Sequence, residues 1–213
     1  MEFNFSAIEK YLPLFFEGMQ WTILISLVTV CLGVILGSVL YIMKRNCILK
    51  YIATIYIEVM RGTPLLLQIM IAKVVFDLPA LTAAIVALSL NSAAYISEII
   101  RAGIDAVDKG QMEAARSLGM TQVQAMRLVI VPQAIKNILP AIGNEFVTLI
   151  KESSMASVIG VNELMYAAKV SAGATYSAME AYTCVAVFYF VLTFTLGRIL
   201  GYAERRMKSN DIR

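Results

Sequence analysis

The chain has no histidine, only three cysteines and few charged residues for its 213 residues. Without histidine it lacks the usual imidazole base and the commonest metal-binding side chain. Cys31, Cys47 and Cys184 are far apart, which indicates neither a disulfide framework nor a zinc site. The phosphate-binding pattern G-x-x-x-x-G-K-[ST] is also absent. We therefore predict no metal site, no resident cofactor and no ATPase activity in this chain.

Apolar residues are abundant: 59% of the chain is hydrophobic and 15% charged, with a mean hydropathy of +0.74. Soluble domains average about 45–50% apolar and about 25% charged residues. The excess predicts an all-α membrane protein whose surroundings are largely lipid. The length predicts one domain, spanning residues 1–213.

Five apolar segments are long enough to cross a hydrocarbon core of roughly 30 Å as helices. A further segment, residues 155–176, is predicted to be re-entrant or to lie as an amphipathic helix on the outer surface. The five segments cover residues 19–43, 51–75, 81–100, a stretch that begins near 137, and 181–201.

Glycine and proline predict irregularities within these segments. Gly62 and Pro64 predict a break in the second segment, and Pro140 with Gly143 predicts an early interruption of the fourth. The spacing of Gly33 and Gly37 allows close approach of another helix, although a span that merely tolerates glycine explains it equally well.

Basic residues predict the orientation of the spans. Of the 18 lysines and arginines, 13 fall on one side, four on the other, and Arg61 within a span. Since basic residues concentrate on the cytoplasmic side, we expect the N-terminus outside and the C-terminus inside.

One loop between two spans is polar and has strong local signals. Residues 111–118 favour about two helical turns, and Gly119 supplies the left-handed residue that ends many helices. Thr121 and Gln124 predict a capping box for a second helix. We expect Pro132 to interrupt that second helix near residue 131.

This loop, about residues 104–136, resembles the EAA loop of ABC-importer permeases. The likeness rests on Glu113-Ala114-Ala115, Gly119 and Val129-Ile130-Val131-Pro132. In that family the short helix docks into a cytoplasmic ATPase subunit and transmits its closure. The resemblance implies ATPase coupling by Gly110, Gln111, Glu113, Ala114, Ala115, Gly119 and Pro132.

The resemblance extends along nearly the whole chain. The chain is similar to the polar amino acid subfamily of these permeases. It implies the transmembrane domain of a type I ABC importer in the bacterial cytoplasmic membrane. The implied partners are an ATPase dimer that binds ATP and Mg²⁺, a second permease copy or paralogue, and an extracytoplasmic amino acid binding protein. The motifs are Arg61-Gly62-Thr63-Pro64, Ala93-Ala94-Tyr95 with Glu98 and Arg101, Gly110-Gln111 and Lys151-Glu152-Ser153-Ser154.

Polar residues near the fourth segment are candidates for the substrate path. A zwitterionic amino acid needs donors for its carboxylate and acceptors for its ammonium group. Our hypothesis is that Glu145, Ser153, Ser154, Asn162 and Glu163 line the path. The surplus of acid leans slightly towards arginine, lysine or histidine as substrate, although Lys151 and Lys169 could cancel it.

Two pairs of opposite charges lie three residues apart within predicted helices. Glu58 with Arg61, and Glu98 with Arg101, share a helix face and can neutralise each other. We predict that both are intramembrane ion pairs, which would keep ionisable groups from standing unpaired in the membrane.

Three other functions compete with the importer permease as interpretations of this sequence. An ion-coupled secondary transporter fits the intramembrane carboxylates but not the helix–glycine–helix loop. A membrane enzyme is disfavoured because the sequence shows no histidine, metal-ligand cluster or serine nucleophile elbow. An ABC exporter domain is disfavoured by the short inner loops.

Overall fold

The structure is a computed structural model that describes residues 9–209. The predicted domain ends, residues 1–8 and 210–213, lie outside the described residues. The described part is helical, without a β-strand. Its α-helices are α1 (Leu12–Lys44), α2 (Leu49–Gly62), α3 (Leu65–Val74), α4 (Ala80–Asp105), α5 (Lys109–Ser117), α6 (Gln122–Ala125), α7 (Val131–Glu152), α8 (Leu164–Thr175) and α9 (Ala178–Ser209).

The predicted count of five membrane segments is compatible with the fold. Four helical stretches are long and apolar enough to cross a membrane: 12–44, 80–105, 122–159 and 178–207. The fifth is the pair α2 and α3, which is bent by 105°. The break falls at Thr63 and Pro64, next to Gly62, as predicted. The bend makes this pair either a broken span or a re-entrant segment.

Helices α1 and α4 pack closely because α1 presents glycine where they meet. A Cβ added at Gly33 would lie 3.0 Å from the Oγ atom of Ser92, and one added at Gly37 would lie 2.9 Å from the carbonyl oxygen of Ala93. The close approach predicted for this glycine pair is therefore confirmed. Around it, the main core joins α1, α3, α4 and α7 through residues such as Ile25, Ile69, Leu88 and Leu149.

The predicted interruption of the fourth segment is wrong. Helix α7 runs through Pro140 and Gly143 to Glu152. Membrane helices tolerate proline because neighbouring groups and local adjustments satisfy the freed backbone. Gly143 instead makes room for a neighbour, since an added Cβ would lie 2.6 Å from the Leu200 Cδ2 atom of α9.

Pro132 does not interrupt the helical segment either, so that prediction is also wrong. Helix α6 passes into a π-helical turn, Met126–Ile130, and α7 begins directly after it. The amide of Val131 donates to the carbonyl of Met126 across this wider turn. Pro132 occupies the first turn of α7, where its ring is tolerated because that turn needs no amide donor from it.

The segment predicted to be re-entrant or amphipathic consists of two parts. Residues Ser153–Ile159 form a 3₁₀ helix that ends at Gly160, and α8 follows. A second core holds α8 between α1 and α9, through Phe15, Leu164, Ala167 and Val185. Burial of these side chains fixes α8 within the bundle.

Candidate functional site

The loop between α4 and α7 forms the predicted helix, glycine turn and second helix. The Asp108 side chain caps α5 by accepting from the Gly110 amide at 2.7 Å. Gly119 adopts a left-handed backbone with φ of +86°, and the Met120 amide donates across the turn to the Ala115 carbonyl. The capping box of Thr121 and Gln124 is also present. These elements of the loop are confirmed.

The α5 helix is anchored on one side and exposed on the other. Ala115 is buried, and Met112 packs against a small core of Val107, Ile130 and Ala134. The opposite side of the loop exposes Gly110, Gln111, Glu113, Ala114, Gly119 and Pro132. Leu118, at the end of the helix, is 81% exposed. A rigid helix with an exposed polar and small-residue face is suited to docking on another protein.

Glu145 contacts α4 from the middle of α7. Its Oε1 atom accepts a hydrogen bond from the Ser92 hydroxyl at 2.8 Å. Ser92 is fully buried and Glu145 half-buried. Among residues 9–209, no cationic group lies within ion-pair distance of Glu145. The contact therefore holds a carboxylate without a counter-ion between two membrane helices.

Glu152 lies seven residues after Glu145 on α7, hence near the same helix face. Within the described residues it also forms no ion pair. Ser153 and Ser154 follow, and their hydroxyls donate to the helix carbonyls of Ile150 and Lys151. Ser153 is fully buried, whereas Ser154 is partly exposed. With its proton engaged, the Ser154 hydroxyl can offer lone pairs to a ligand donor.

Glu163 is fully buried and caps α8. Its carboxylate accepts from the amides of Met165 and Tyr166 at 2.9 and 2.8 Å, and from the Tyr189 hydroxyl at 2.9 Å. Burial raises the pKa of Glu163 to about 7, although these hydrogen bonds lower it. The arrangement ties α8 to α9 and fixes the start of α8.

Asn162 is exposed beside this cap. It lines a cavity of about 260 Å³ together with Glu17 and Tyr166. The predicted path residues therefore fall into two groups. Glu145, Ser153 and Ser154 follow the second half of α7, whereas Asn162 and Glu163 lie where α8 meets α1 and α9.

The two predicted ion pairs have different outcomes. The Arg101 Nε atom lies 3.0 Å from Glu98, and Lys44 of α1 lies 2.7 Å from the same carboxylate. Glu58 and Arg61 form no ion pair in the described part of the chain, which corrects that prediction. Both are exposed on the last turns of α2, and the Arg61 guanidinium lies 5.3 Å from the centre of the Tyr95 ring.

Several contacts were not predicted from the sequence. Asn91 and Gln68 clamp the break between α2 and α3: both side-chain amides donate to the Met60 carbonyl, and Asn91 also donates to Gln68. The sequence motifs likewise do not predict the contact between Ser92 and Glu145. A polar residue inside an otherwise apolar span is the signal that could have singled out Asn91 and Ser92.

No group of three or more potential metal ligands comes together among residues 9–209.

Comparison with known proteins places this arrangement in a family. Residues 29–209 match the model of the binding-protein-dependent transport system inner membrane component. The chain belongs to this family. The match covers most of the chain, including the loop at about residues 104–136, so the resemblance drawn from the motifs is confirmed.

Relatives of this family member align over nearly their full lengths. The chain is 46% identical to the arginine transport system permease protein ArtQ of Bacillus subtilis, over 99% of this chain and 100% of the relative. It is 36% identical to the glutamine transport system permease protein GlnP of Escherichia coli K12, over 98% and 99%. These relatives are transport permeases, and the chain is accordingly a transport subunit rather than an enzyme.

Two solved structures share the fold. A chain of an amino acid ABC transporter with histidines is 48% identical, with a TM-score of 0.93 over 97% of this chain and 100% of that one. The MetNI methionine ABC transporter has a TM-score of 0.79 at 22% identity, over 93% and 98%. The chain therefore has the all-helical fold of type I importer permeases.

Proposed function

We propose that this permease subunit forms the translocation path for a cationic amino acid in an ATP-driven importer. The observation that carries the substrate class is the Glu145 carboxylate, which Ser92 holds and which has no counter-ion among residues 9–209. An unpaired carboxylate at membrane depth is costly. A passing substrate cation would supply the missing charge.

Further acid on the same helix supports a cationic substrate. Glu152 adds a second carboxylate two helical turns from Glu145. Lys169, which could have cancelled this charge, donates to the Ser157 hydroxyl at 2.9 Å. Lys151 forms no ion pair among the described residues. Among residues 9–209, neither lysine forms an ion pair with Glu145 or Glu152, so both carboxylates remain available to a cationic substrate.

The path that we propose contains Glu145, Ser153, Ser154, Asn162 and Glu163. Glu145 would bind the cationic part of the substrate, and Ser154 would offer its hydroxyl oxygen at the end of the same helix. The buried Ser153 would hold this end of the helix through its hydrogen bond to the Ile150 carbonyl. Asn162 is accessible from the outer cavity that Glu163 also lines. Because the Glu163 carboxylate is engaged by three donors, its part in the path would be to position Asn162.

Energy would enter through the loop at about residues 104–136, the proposed coupling loop. The chain has no phosphate-binding loop, so a partner ATPase would bind ATP and Mg²⁺. The exposed face of α5, around Glu113 and Ala114, would dock on that ATPase. The left-handed turn at Gly119 would hold α5 and α6 at a fixed angle, so that movement of the ATPase reaches α7.

Other partners follow from the family and from the relatives. An extracytoplasmic binding protein would deliver the amino acid, and a second permease copy or a paralogue would complete the path. The membrane would be the bacterial cytoplasmic membrane, with the coupling loop and C-terminus inside and the N-terminus outside. The arginine transport permease and the transporter solved with histidines favour a basic substrate, whereas the glutamine permease favours a neutral one.

The test is ATP hydrolysis by the complete importer in liposomes, with the binding protein and a panel of basic, neutral and acidic amino acids. We expect arginine, lysine or histidine to stimulate hydrolysis and uptake. Glu145→Gln should reduce uptake of the basic substrate at least tenfold, because the amide cannot balance its charge. Asp77→Asn is the matched control, since Asp77 is exposed in a turn at φ of +48° that asparagine also tolerates.

Three results would contradict the proposal. Unchanged basic amino acid uptake in Glu145→Gln would remove Glu145 from the path. Stimulation by neutral amino acids alone would show that the substrate is neutral rather than cationic. Uptake that resists vanadate and follows an ion gradient would favour the secondary transporter instead.

A further inference from the structure

A cavity of about 410 Å³ opens beside the coupling loop, away from the path residues. It lies between the ends of α1 and α4 and the segment that joins α6 to α7. Its walls combine apolar side chains with two guanidinium groups. These residues are Ile104, Val123, Met126 and Val131, together with Arg45 and Arg127.

Neither arginine has a carboxylate partner in the part of the chain that the structure describes. Arg45 donates only to the Tyr41 hydroxyl, at 3.3 Å, and among residues 9–209 neither Arg45 nor Arg127 lies within ion-pair distance of an acid. Arg101 differs, because it pairs with two carboxylates. Two unpaired guanidinium groups on one cavity are suited to an anion with several acceptor oxygens, such as a phosphate.

The cavity lies at the level where membrane helices end. Arg45 directly follows the 33-residue apolar helix α1, and Ile104 is the penultimate residue of α4. Arginine at the end of an apolar span is typical of the lipid headgroup region. The anion that reaches this cavity can therefore be part of the bilayer.

An apolar track leads from the cavity along α7. Val131 lines the cavity, and Ile135 and Leu139 follow at four-residue intervals with 45% and 48% of their surfaces exposed. On α1, Ile42 precedes Arg45 by three residues and is 65% exposed. A soluble phosphate would use the arginines alone, whereas a phospholipid would also cover this track.

We propose that the cavity binds an anionic phospholipid, with its phosphate between Arg45 and Arg127 and an acyl chain along Ile135 and Leu139. The lipid would bridge the end of α1 and the π-helical turn Met126–Ile130. That turn connects α6, which follows the proposed docking helix α5, to α7, so the bound lipid would modulate coupling. The inference goes beyond the proposed function, and lipid binding can be measured without transport.

The experiment titrates the detergent-purified importer complex with fluorescent phosphatidylglycerol, and separately with fluorescent phosphatidylcholine. We expect tighter binding of phosphatidylglycerol. Since each basic side chain near an anionic lipid contributes about fivefold in affinity, the double variant R45Q/R127Q should bind it roughly 25-fold more weakly. The double variant K50Q/R205Q is the matched control, because it removes two exposed basic residues outside the cavity. It should bind phosphatidylglycerol like the unmodified protein.

Equal phosphatidylglycerol affinity in R45Q/R127Q and K50Q/R205Q would overturn the site. Equal affinity for the two lipids would overturn the requirement for negative charge. In a third measurement, inorganic phosphate is added to the complex with bound phosphatidylglycerol. Displacement of the lipid by phosphate at equal concentration would assign the cavity to a free anion instead. Both double variants should elute as the intact complex on size exclusion, since all four side chains are exposed.

Discussion

Gly37 shows how one missing methyl group sets the distance between two helices. Its Cα faces the Ala93 carbonyl and the Ile96 side chain of α4, and an added Cβ would lie 2.9 Å from both. Backbone cannot move aside as a flexible side chain can. The residue therefore determines how closely α1 and α4 pack.

We predict that Gly37→Ala destabilises the protein, because overpacking costs roughly 1–3 kcal/mol. The measurement is the melting temperature of the purified complex. Gly197→Ala is the control, since an added Cβ there meets no atom within 4 Å and alanine is the better helix former. A melting temperature for Gly37→Ala equal to that of Gly197→Ala would contradict the packing argument.

Glu163 gives a pH-dependent prediction. Its pKa is raised from the usual 4.5 to about 7 in the folded protein, so between these values the folded state binds a proton that the unfolded state has lost. Its contribution to the free energy of unfolding therefore falls as pH rises through this window. The charged or titratable groups near it are Tyr189, which donates to it, and Lys169, whose charge favours the ionised form.

We expect the melting temperature of the unmodified protein to fall more steeply from pH 4.5 to 7 than that of Glu163→Gln, which cannot ionise. Thermal unfolding of both proteins across this range is the measurement, with Asp77→Asn as a control for an exposed carboxylate. Parallel curves for Glu163→Gln and the unmodified protein would show that Glu163 does not titrate in this window.

At the scale of elements, the coupling loop depends on one backbone conformation. Gly119 has a φ of +86°, which costs a residue with a side chain roughly 1–2 kcal/mol and is worse for β-branched residues. The angle between α5 and α6 is set at this residue. Exposed Gly119 has no neighbouring atoms that would resist a side chain, so any effect of substitution comes from the backbone.

We predict that Gly119→Val uncouples the importer, so that ATP hydrolysis continues while uptake falls at least fivefold. Gly119→Asn is the matched control, because asparagine adopts the left-handed conformation more readily and should retain most coupling. The ratio of uptake to hydrolysis in liposomes is the measurement. Normal coupling in Gly119→Val would refute the role of this turn.

At the scale of the whole molecule, orientation determines which surfaces meet the ATPase and which meet the binding protein. Cys47 is exposed in the short connection between α1 and α2. The basic residues around it, Lys44, Arg45 and Lys50, predict a cytoplasmic location for this connection by the positive-inside rule.

We therefore expect a membrane-impermeant maleimide to leave Cys47 unlabelled in right-side-out vesicles and to label it in inverted ones. The chain for this experiment carries Cys31→Ala and Cys184→Ala. Phe76→Cys, in the same background with Cys47→Ala, should show the opposite pattern, since Phe76 is exposed in the connection between α3 and α4. Labelling of Cys47 from outside would reverse the proposed topology.

The predictions from sequence succeeded where the signal is local. The left-handed turn at Gly119, the Thr121 capping box and the break beside Pro64 depend on a few neighbouring residues, and all are present. Pro132 and Pro140 failed as helix breakers because a π-helical turn precedes one and helix α7 absorbs the other. Such adjustments depend on the surroundings of the helix and leave no local pattern.

Composition and periodicity by themselves determined that the chain is a helical membrane protein, and its motifs determined the family. The tertiary structure alone decided which polar groups meet. It joined Ser92 to Glu145 and Lys44 to Glu98 across more than 50 residues of chain, and left Glu58 and Arg61 unpaired with each other. Spacing along a helix says which side chains share a face, but only the packing of separate helices brings a donor on one to an acceptor on another.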